Sequence, residues 1–438
     1  MIPDRPPVFE PYDARFWEER DLERELYRVF AVCEGCRMCA PYCGSFPFLF
    51  EKADQHEHVE DGSVANSMQK VVRLRREDIE RVVDLCWQCK QCYFKCPYTA
   101  DDGHEWLIDF PRLMMREKAV RARRSGIALT DRVLGEPQLL GRLAAGPLAG
   151  MNNVVLANRL VRKVQAKTFG ISEEFPLPPF ASQSLFGWFR DHPGPSEGAN
   201  GSVVMFATCT TTWNVPAPGI AAVKVLRHNG FGVALPSTQT CCGMPNLDGG
   251  DIESAMAKAK RNVDVLLPFV DAGATVVVMQ PTCGYTLKKE YPSLLGTPEA
   301  QRVADATQDL MEFLLKKARK KLLSRETARG AGKVAYHAPC HLRAQRVGTP
   351  SRQLLEMLLP ETKVTVVEQC SAVDGTWGMK QEFYEMGRSY ARKLVDGMSD
   401  GDPDVLATDC PLSGLRLTKE LGRETVHPIE LIARGYGL

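Results

Sequence analysis

Cys33-Glu-Gly-Cys36-Arg-Met-Cys39-Ala-Pro-Tyr-Cys43 and Cys86-Trp-Gln-Cys89-Lys-Gln-Cys92-Tyr-Phe-Lys-Cys96-Pro97 repeat one spacing, C-x₂-C-x₂-C-x₃-C. Two-residue gaps let a tight turn wrap a [4Fe–4S] cube, and four thiolates satisfy its four irons. Where two such runs occur together, the fourth cysteine of each ligates the other cluster. The spacing therefore predicts one cube on Cys33, Cys36, Cys39 and Cys96, and a second on Cys86, Cys89, Cys92 and Cys43. Electron transfer is the first function this implies.

Other uses of cysteine fit less well. Zinc knuckles use C-x₂-C pairs, but zinc needs four ligands, not a third cysteine on the same beat and a fourth three residues on. Disulfides are not expected, because the chain begins MIPDRPPVFE without an apolar signal segment and reads as cytoplasmic. Pro97 follows Cys96 as the bacterial ferredoxin motif expects; Gly44 follows Cys43 instead, which removes no ligand. Fifteen cysteines in 438 residues, with a formal net charge of +1, point to metal and away from nucleic acid. No run of eighteen apolar residues is present, so no membrane span is expected.

The patterning divides the chain into five parts. Residues 1–30 form a lead-in with an amphipathic helix over Phe16–Val32. Residues 31–115 carry both cysteine runs, with a helical insert over Ser45–Asp84. Residues 116–198 form a helical and Pro-rich connector. Its Leu139–Val164 stretch has few charges and reads as a packing helix, with a peripheral membrane contact as the alternative. Its Glu174-Phe-Pro-Leu-Pro-Pro-Phe stretch reads as an extended linker. Residues 199–328 and 329–438 each alternate strand and helix. Strands are expected at Val203–Ala207, Gly232–Leu235 and Thr275–Met279, then at Lys333–Tyr336, Lys363–Val367 and Val405–Thr408, with one helix over Pro298–Leu323. Such alternation predicts parallel sheets covered by helices, and two similar cycles indicate a duplication. The fold class is α+β multidomain: a helical two-cluster domain followed by duplicated α/β domains.

The other seven cysteines each follow an expected strand. Cys209, Cys241-Cys242-Gly243 and Cys283 do so in the first cycle, and Cys340, Cys370 and Cys410 in the second. Ligands of open α/β sheets gather at the carboxyl ends of strands. Thiols at that edge in both cycles predict metal sites, although a lone cysteine is ordinarily a small buried hydrophobe.

These residues resemble the cysteine-rich "CCG" domain of heterodisulfide reductase, whose pattern is a lone Cys, then Cys-Cys-Gly, then Cys-x-x-Cys. The whole chain after residue 30 resembles the iron–sulfur subunits of anaerobic glycerol-3-phosphate dehydrogenase and glycolate oxidase. The matching stretches are Tyr336-His-Ala-Pro-Cys-His341, Gly375-Thr-Trp-Gly-Met-Lys380, Thr408-Asp-Cys410 and His427-Pro-Ile-Glu-Leu-Ile432. Stand-alone relatives resemble it further in Cys33–Cys39 and in Glu105-Trp-Leu-Ile-Asp-Phe-Pro111. The resemblance implies that these relatives are often encoded beside rubrerythrin, a di-iron protein that reduces peroxide.

The chain departs from the pattern in both repeats. Thr286 replaces the last cysteine of the first, leaving Cys209, Cys241, Cys242 and Cys283 for a further cluster or a Cys₄ zinc. Ser371 and Ser413 replace two cysteines of the second, and Ala372 replaces its glycine. There Cys340, Cys370 and Cys410 remain, with His341 as the nearest candidate ligand, proton donor or catalytic group; a packing histidine is the alternative. No G-x-G-x-x-G follows a strand, so neither NAD nor FAD is expected on this chain. The expected function is an iron–sulfur oxidoreductase subunit. It would relay electrons between a partner, either a flavoprotein dehydrogenase or a rubrerythrin-like di-iron protein, and a metal site in the CCG half. The alternatives are a catalytic subunit reducing a disulfide or small molecule at Cys340, and a zinc-bearing scaffold.

Overall fold

The computed structural model describes residues 2–59, 61–373 and 375–438. The chain divides into two compact units: residues 2–128 with 247–252, and residues 129–246 with 253–438.

The first unit is helical. Helix Glu19–Cys36 and helix Phe110–Ser125 carry apolar faces that meet insert helices Ser45–Asp54 and Arg76–Asp84. Phe110 lies at the centre of this core, with ring centroids 4.6 Å from Phe46 and 5.9 Å from Phe30. Arg116, fully buried, donates from Nε to the Phe16 carbonyl at 2.8 Å and pairs with Asp21 at 3.1 Å. A buried guanidinium persists only when carbonyls and a carboxylate replace its water, so this contact pins the N-terminal stretch to the later helix. The first helix runs past the expected Val32 to Cys36, which places Cys33 and Cys36 on its last turn.

The second unit contains two four-stranded sheets. The first is ordered β2-β1-β3-β4, from strands β1 (Ser202–Phe206), β2 (Gly232–Ala234), β3 (Thr275–Val278) and β4 (Thr307–Asp309). The second is ordered β6-β5-β7-β8, from β5 (Lys333–His337), β6 (Lys363–Val367), β7 (Val405–Thr408) and β8 (Thr425–Val426). Every pairing is parallel. The duplicated α/β architecture thus stands as expected, with one strand more per repeat. Expected helix Pro298–Leu323 is interrupted at Thr307–Asp309, where three residues without an apolar run pair with β3. Asp309 then caps the following helix by accepting the Met311 N–H at 2.9 Å.

One hydrophobic core runs through both repeats, joining Val203, Met205 and Val277 to Val334, Tyr336 and Ala407. In each sheet the chain leaves the first strand toward one edge and the third strand toward the other. That reversal of strand order opens a crevice between those two strands at their carboxyl ends.

Two connector stretches differ from expectation. The stretch after Glu174 is no free linker: Phe175 is buried with Val373, Met379 and Tyr384, and Arg162 donates to the carbonyls of Ser172 and Phe175 at 2.6 Å each. Conversely, the apolar stretch over 139–164 forms helices Pro137–Ala144, Ala149–Ala157 and Arg159–Phe169 that leave much of their apolar surface in solvent. Leu143, Val154 and Leu160 are each 73% exposed. Gly141 packs closely on Trp213, so the first of these helices buries one face and presents the other.

Candidate iron–sulfur centres

In the first unit helix Glu19–Cys36 ends at Arg37, which turns into the left-handed region (φ 52°) and bonds its N–H to the Cys33 carbonyl. The chain then bends back through Cys39 and Cys43. In the second run Gln88 (φ 57°) and Lys90 (φ 60°) are left-handed as well, and short helix Gln91–Lys95 carries Cys92. Non-glycine residues take that conformation at a cost, and here it curls the chain around the thiols.

The fifteen cysteines form no disulfide. Burial pushes the Cys33 thiol far up, and it feels Cys39, Cys96 and Cys36 in addition. Cys39 is pushed up to about 12 by burial and by Cys96 and Cys36. Cys43 is pushed up to about 12 by burial and by Cys86. Burial also pushes up Cys92, which feels Cys89, Cys39, Cys86 and Cys43. Cys43, Cys86, Cys89 and Cys92 line one small cavity, while Cys33 and Cys39 feel Cys36 and Cys96, and Cys39 also acts on Cys92. Four crowded sulfurs repelling one another's negative charge form a donor set that a cationic metal core relieves. Thiols are the donors a [4Fe–4S] cube takes, although among the described residues no three His, Cys, Asp or Glu side chains are drawn tightly enough together to hold a single metal ion.

In the second unit, Cys209 opens a short helix after β1, Cys241 and Cys242 lie in the loop after β2, and Cys283 sits in helix Pro281–Tyr285 after β3. Cys241 is held well below the usual thiol range by hydrogen bonds with Cys209 and Cys242, helped by the Gly243 N–H and Lys258. Cys242 in turn bonds Cys283. The four thiols thus follow one another as neighbours, Cys209 to Cys241 to Cys242 to Cys283. Gly243 (φ 91°) turns the chain beside them, and a Cβ there would press on the Ala255 backbone at 3.3 Å.

Sequence reasoning missed the groups that hold this loop. Asn262 accepts the Thr240 N–H at 2.8 Å and donates to the Cys241 carbonyl at 3.1 Å and to the Tyr291 hydroxyl at 2.9 Å. Tyr291 donates to the Cys242 carbonyl at 3.0 Å. Both side chains are fully buried. Lys258 brings a cation to the thiols while bonding Glu136 at 2.7 Å and Asn246 at 2.8 Å. No local pattern marks these residues; only an Asn on the inner face of helix Ile252–Asp271 hints at one of them. At the missing fifth position, Thr286 turns its hydroxyl back to the Thr282 carbonyl at 2.8 Å, where the helix widens into a π turn over Thr286–Glu290.

In the second repeat Cys340, Cys370 and Cys410 lie half-buried just past the ends of β5, β6 and β7. Cys370 accepts the Ala372 N–H at 3.2 Å. The two replaced positions satisfy each other, Ser413 donating to Ser371 at 2.9 Å in a buried pair. His341 faces the first repeat: Nδ1 is 2.9 Å from the Thr282 hydroxyl and the ring stacks on Tyr285. Thr282 adjoins Cys283 of the first site, so this histidine joins the repeats. Nearby, Asp409 accepts from Ser351 at 2.7 Å and from Tyr336.

Comparison with known proteins defines the class. A 4Fe-4S dicluster domain matches residues 32–101, and a cysteine-rich domain matches residues 203–288 and again 334–417. The chain is an iron–sulfur protein with one dicluster domain and two cysteine-rich domains. Among its homologues, an anaerobic glycerol-3-phosphate dehydrogenase subunit of Escherichia coli K12 is 27% identical over 314 residues, 70% of this chain and 77% of that one. The glycolate oxidase iron-sulfur subunit of the same strain is 24% identical over 398 residues, 88% of each chain. A fumarate reductase (CoM/CoB) subunit of Methanothermobacter marburgensis is 28% identical over 245 residues, covering 56% of this chain and 47% of that one.

Proposed function

We propose that this chain is the electron-transfer subunit of an oxidoreductase, with two [4Fe–4S] cubes in crossed ligation on Cys33, Cys36, Cys39, Cys96 and on Cys43, Cys86, Cys89, Cys92. The observation that supports this is the repeated C-x₂-C-x₂-C-x₃-C spacing together with the single cavity lined by Cys43 of the first run and Cys86, Cys89 and Cys92 of the second. A cube so held takes up and releases one electron, and the chain's part is to ligate it, exclude water and set its potential. Cys209, Cys241, Cys242 and Cys283 hold a further metal centre, with Asn262 and Tyr291 fixing its loop.

The homologues named above are subunits of a dehydrogenase, an oxidase and a reductase. The partner here is accordingly a dehydrogenase that carries its own flavin; a rubrerythrin-like di-iron protein is the other candidate. A catalytic second repeat finds less support, since Ser371 and Ser413 engage each other and His341 engages Thr282. Among the described residues no helix is long and apolar enough to cross a membrane. The exposed apolar face over 139–164 supports peripheral contact instead. Residues 137–172 include four exposed basic residues, Arg142, Arg159, Lys163 and Lys167, besides the buried Arg162, and no acidic one. Apolar residues beside exposed cations match an anionic lipid surface.

Iron and zinc analysis of anaerobically prepared protein tests the reading. About eight irons with one zinc, or about twelve irons, agrees with eight cluster thiols and a third site. Fewer than eight irons after full reconstitution contradicts it.

A further inference from the structure

Between Cys86 and Cys92 the second cysteine run carries a buried lysine that ligation does not require. Lys90 is 2% exposed and Gln88 1%. The two side chains line the same small cavity as Cys43, Cys86, Cys89 and Cys92. Lys90 Nζ donates to Gln88 Oε1 at 2.8 Å, and Gln88 Nε2 donates to Cys86 Sγ at 3.4 Å, within reach for a bond to sulfur. Gln88 Nε2 also lies 3.1 Å from the Pro111 carbonyl, and Lys90 Nζ lies 3.7 Å from Met115 Sδ. Both residues adopt left-handed backbone, and both side chains are shut off from solvent. A buried ammonium is costly unless an anion nearby offsets its lost hydration. Thiolates ligating a cube supply that anion.

We infer that Lys90, acting through the Gln88 amide on Cys86 Sγ, raises the reduction potential of the cluster held by Cys43, Cys86, Cys89 and Cys92. The ammonium polarises the amide so that its N–H becomes a stronger donor to sulfur. Hydrogen bonds to the sulfurs and nearby charge are among the determinants of cluster potential. Reduction adds one negative charge to the cluster, and a fixed cation in a low-dielectric site stabilises the charged product over the oxidised form. Lys90 is a positioning residue in this scheme, because it reaches the cluster through Gln88. The result is two cubes of unequal potential, which gives the electron a preferred resting place within the domain.

This inference rests on the two-cluster reading, and the test separates their failures. Lys90→Met removes the charge at similar length, Lys90→Gln keeps a donor without charge, and Lys90→Arg keeps the charge. In the full-length, anaerobically reconstituted protein, iron per chain is measured first and the midpoints are then followed by an electron paramagnetic resonance redox titration. A wild-type protein lacking two cube signals would overturn the two-cluster reading itself. With eight cluster irons retained, K90M should lower one midpoint by at least a tenfold change in the reduction equilibrium, about 59 mV for one electron. That midpoint should belong to the signal perturbed by Cys89→Ser. The other should stay in place, and K90R should recover most of the shift. Both midpoints unchanged, or both displaced equally, overturns the inference. If K90M loses iron, K90Q is read instead, and an unmoved midpoint there overturns it equally.

Discussion

Single residues decide whether the thiols stay together. Asn262 makes three bonds that fix the Cys241–Cys242 loop from inside the core. Asn262→Leu keeps the volume and orphans buried groups, each costing roughly 1–3 kcal/mol. The expected outcome is loss of metal from the first cysteine-rich site and a lower melting temperature, with dicluster signals intact. Unchanged metal content would show that the loop holds itself.

Asp309 offers a pH test. Burial, then repulsion from Asp409, raises its carboxyl to about 8, so it is neutral in the folded chain through most of the physiological range. The unfolded carboxyl titrates near 4. The folded state therefore binds the extra proton between about pH 4 and 8; its contribution is complete below that window and lost as pH rises through it. Asp309→Asn keeps a neutral cap for Met311 and removes the titration. Its stability relative to the parent should climb from pH 5 to pH 8, by up to about 1.4 kcal/mol per unit. Anaerobic thermal midpoints showing a constant difference across that range would contradict this.

Elements with a long periodic pattern are readable in the sequence, and short ones are not. The alternation over 203–278 and 333–408 is strong because its central strands are runs rich in Val, Ala and Met that pack on both faces. β4 and β8 escape notice because three and two residues carry no period. Phe175 sits amid prolines that read as linker, yet its ring meets Tyr384 and the buried Arg416, partners over two hundred residues away. The apolar connector shows the opposite error: low charge suggests packing, and the helices stand exposed. At this scale, Leu143→Glu with Val154→Glu should abolish flotation with anionic vesicles while leaving melting temperature and cluster content unchanged. Both sites are open to water, where such changes ordinarily cost under about 0.5 kcal/mol. Equal flotation of parent and variant would remove the membrane contact from the account.

For the whole molecule, the eight cysteines of the two runs stand out because cluster ligation imposes a spacing that chance rarely supplies. The first cysteine-rich site is legible through its placement after three strands, since parallel sheets bring those loops to one edge. Its supporting Asn262, Tyr291 and Lys258 are not, because long-range contacts leave no local signature. His341 draws notice for its position beside Cys340, but folding turns it to Thr282 of the other repeat.

Crossed ligation is the central claim, and pairing single ligand substitutions tests it most directly. Cys36→Ser and Cys96→Ser change opposite runs and should perturb the same electron paramagnetic resonance signal. Cys43→Ser should perturb the other signal, the one altered by Cys89→Ser. If Cys36→Ser and Cys43→Ser instead alter one signal while Cys89→Ser and Cys96→Ser alter the second, each run closes on its own fourth cysteine and the account is contradicted.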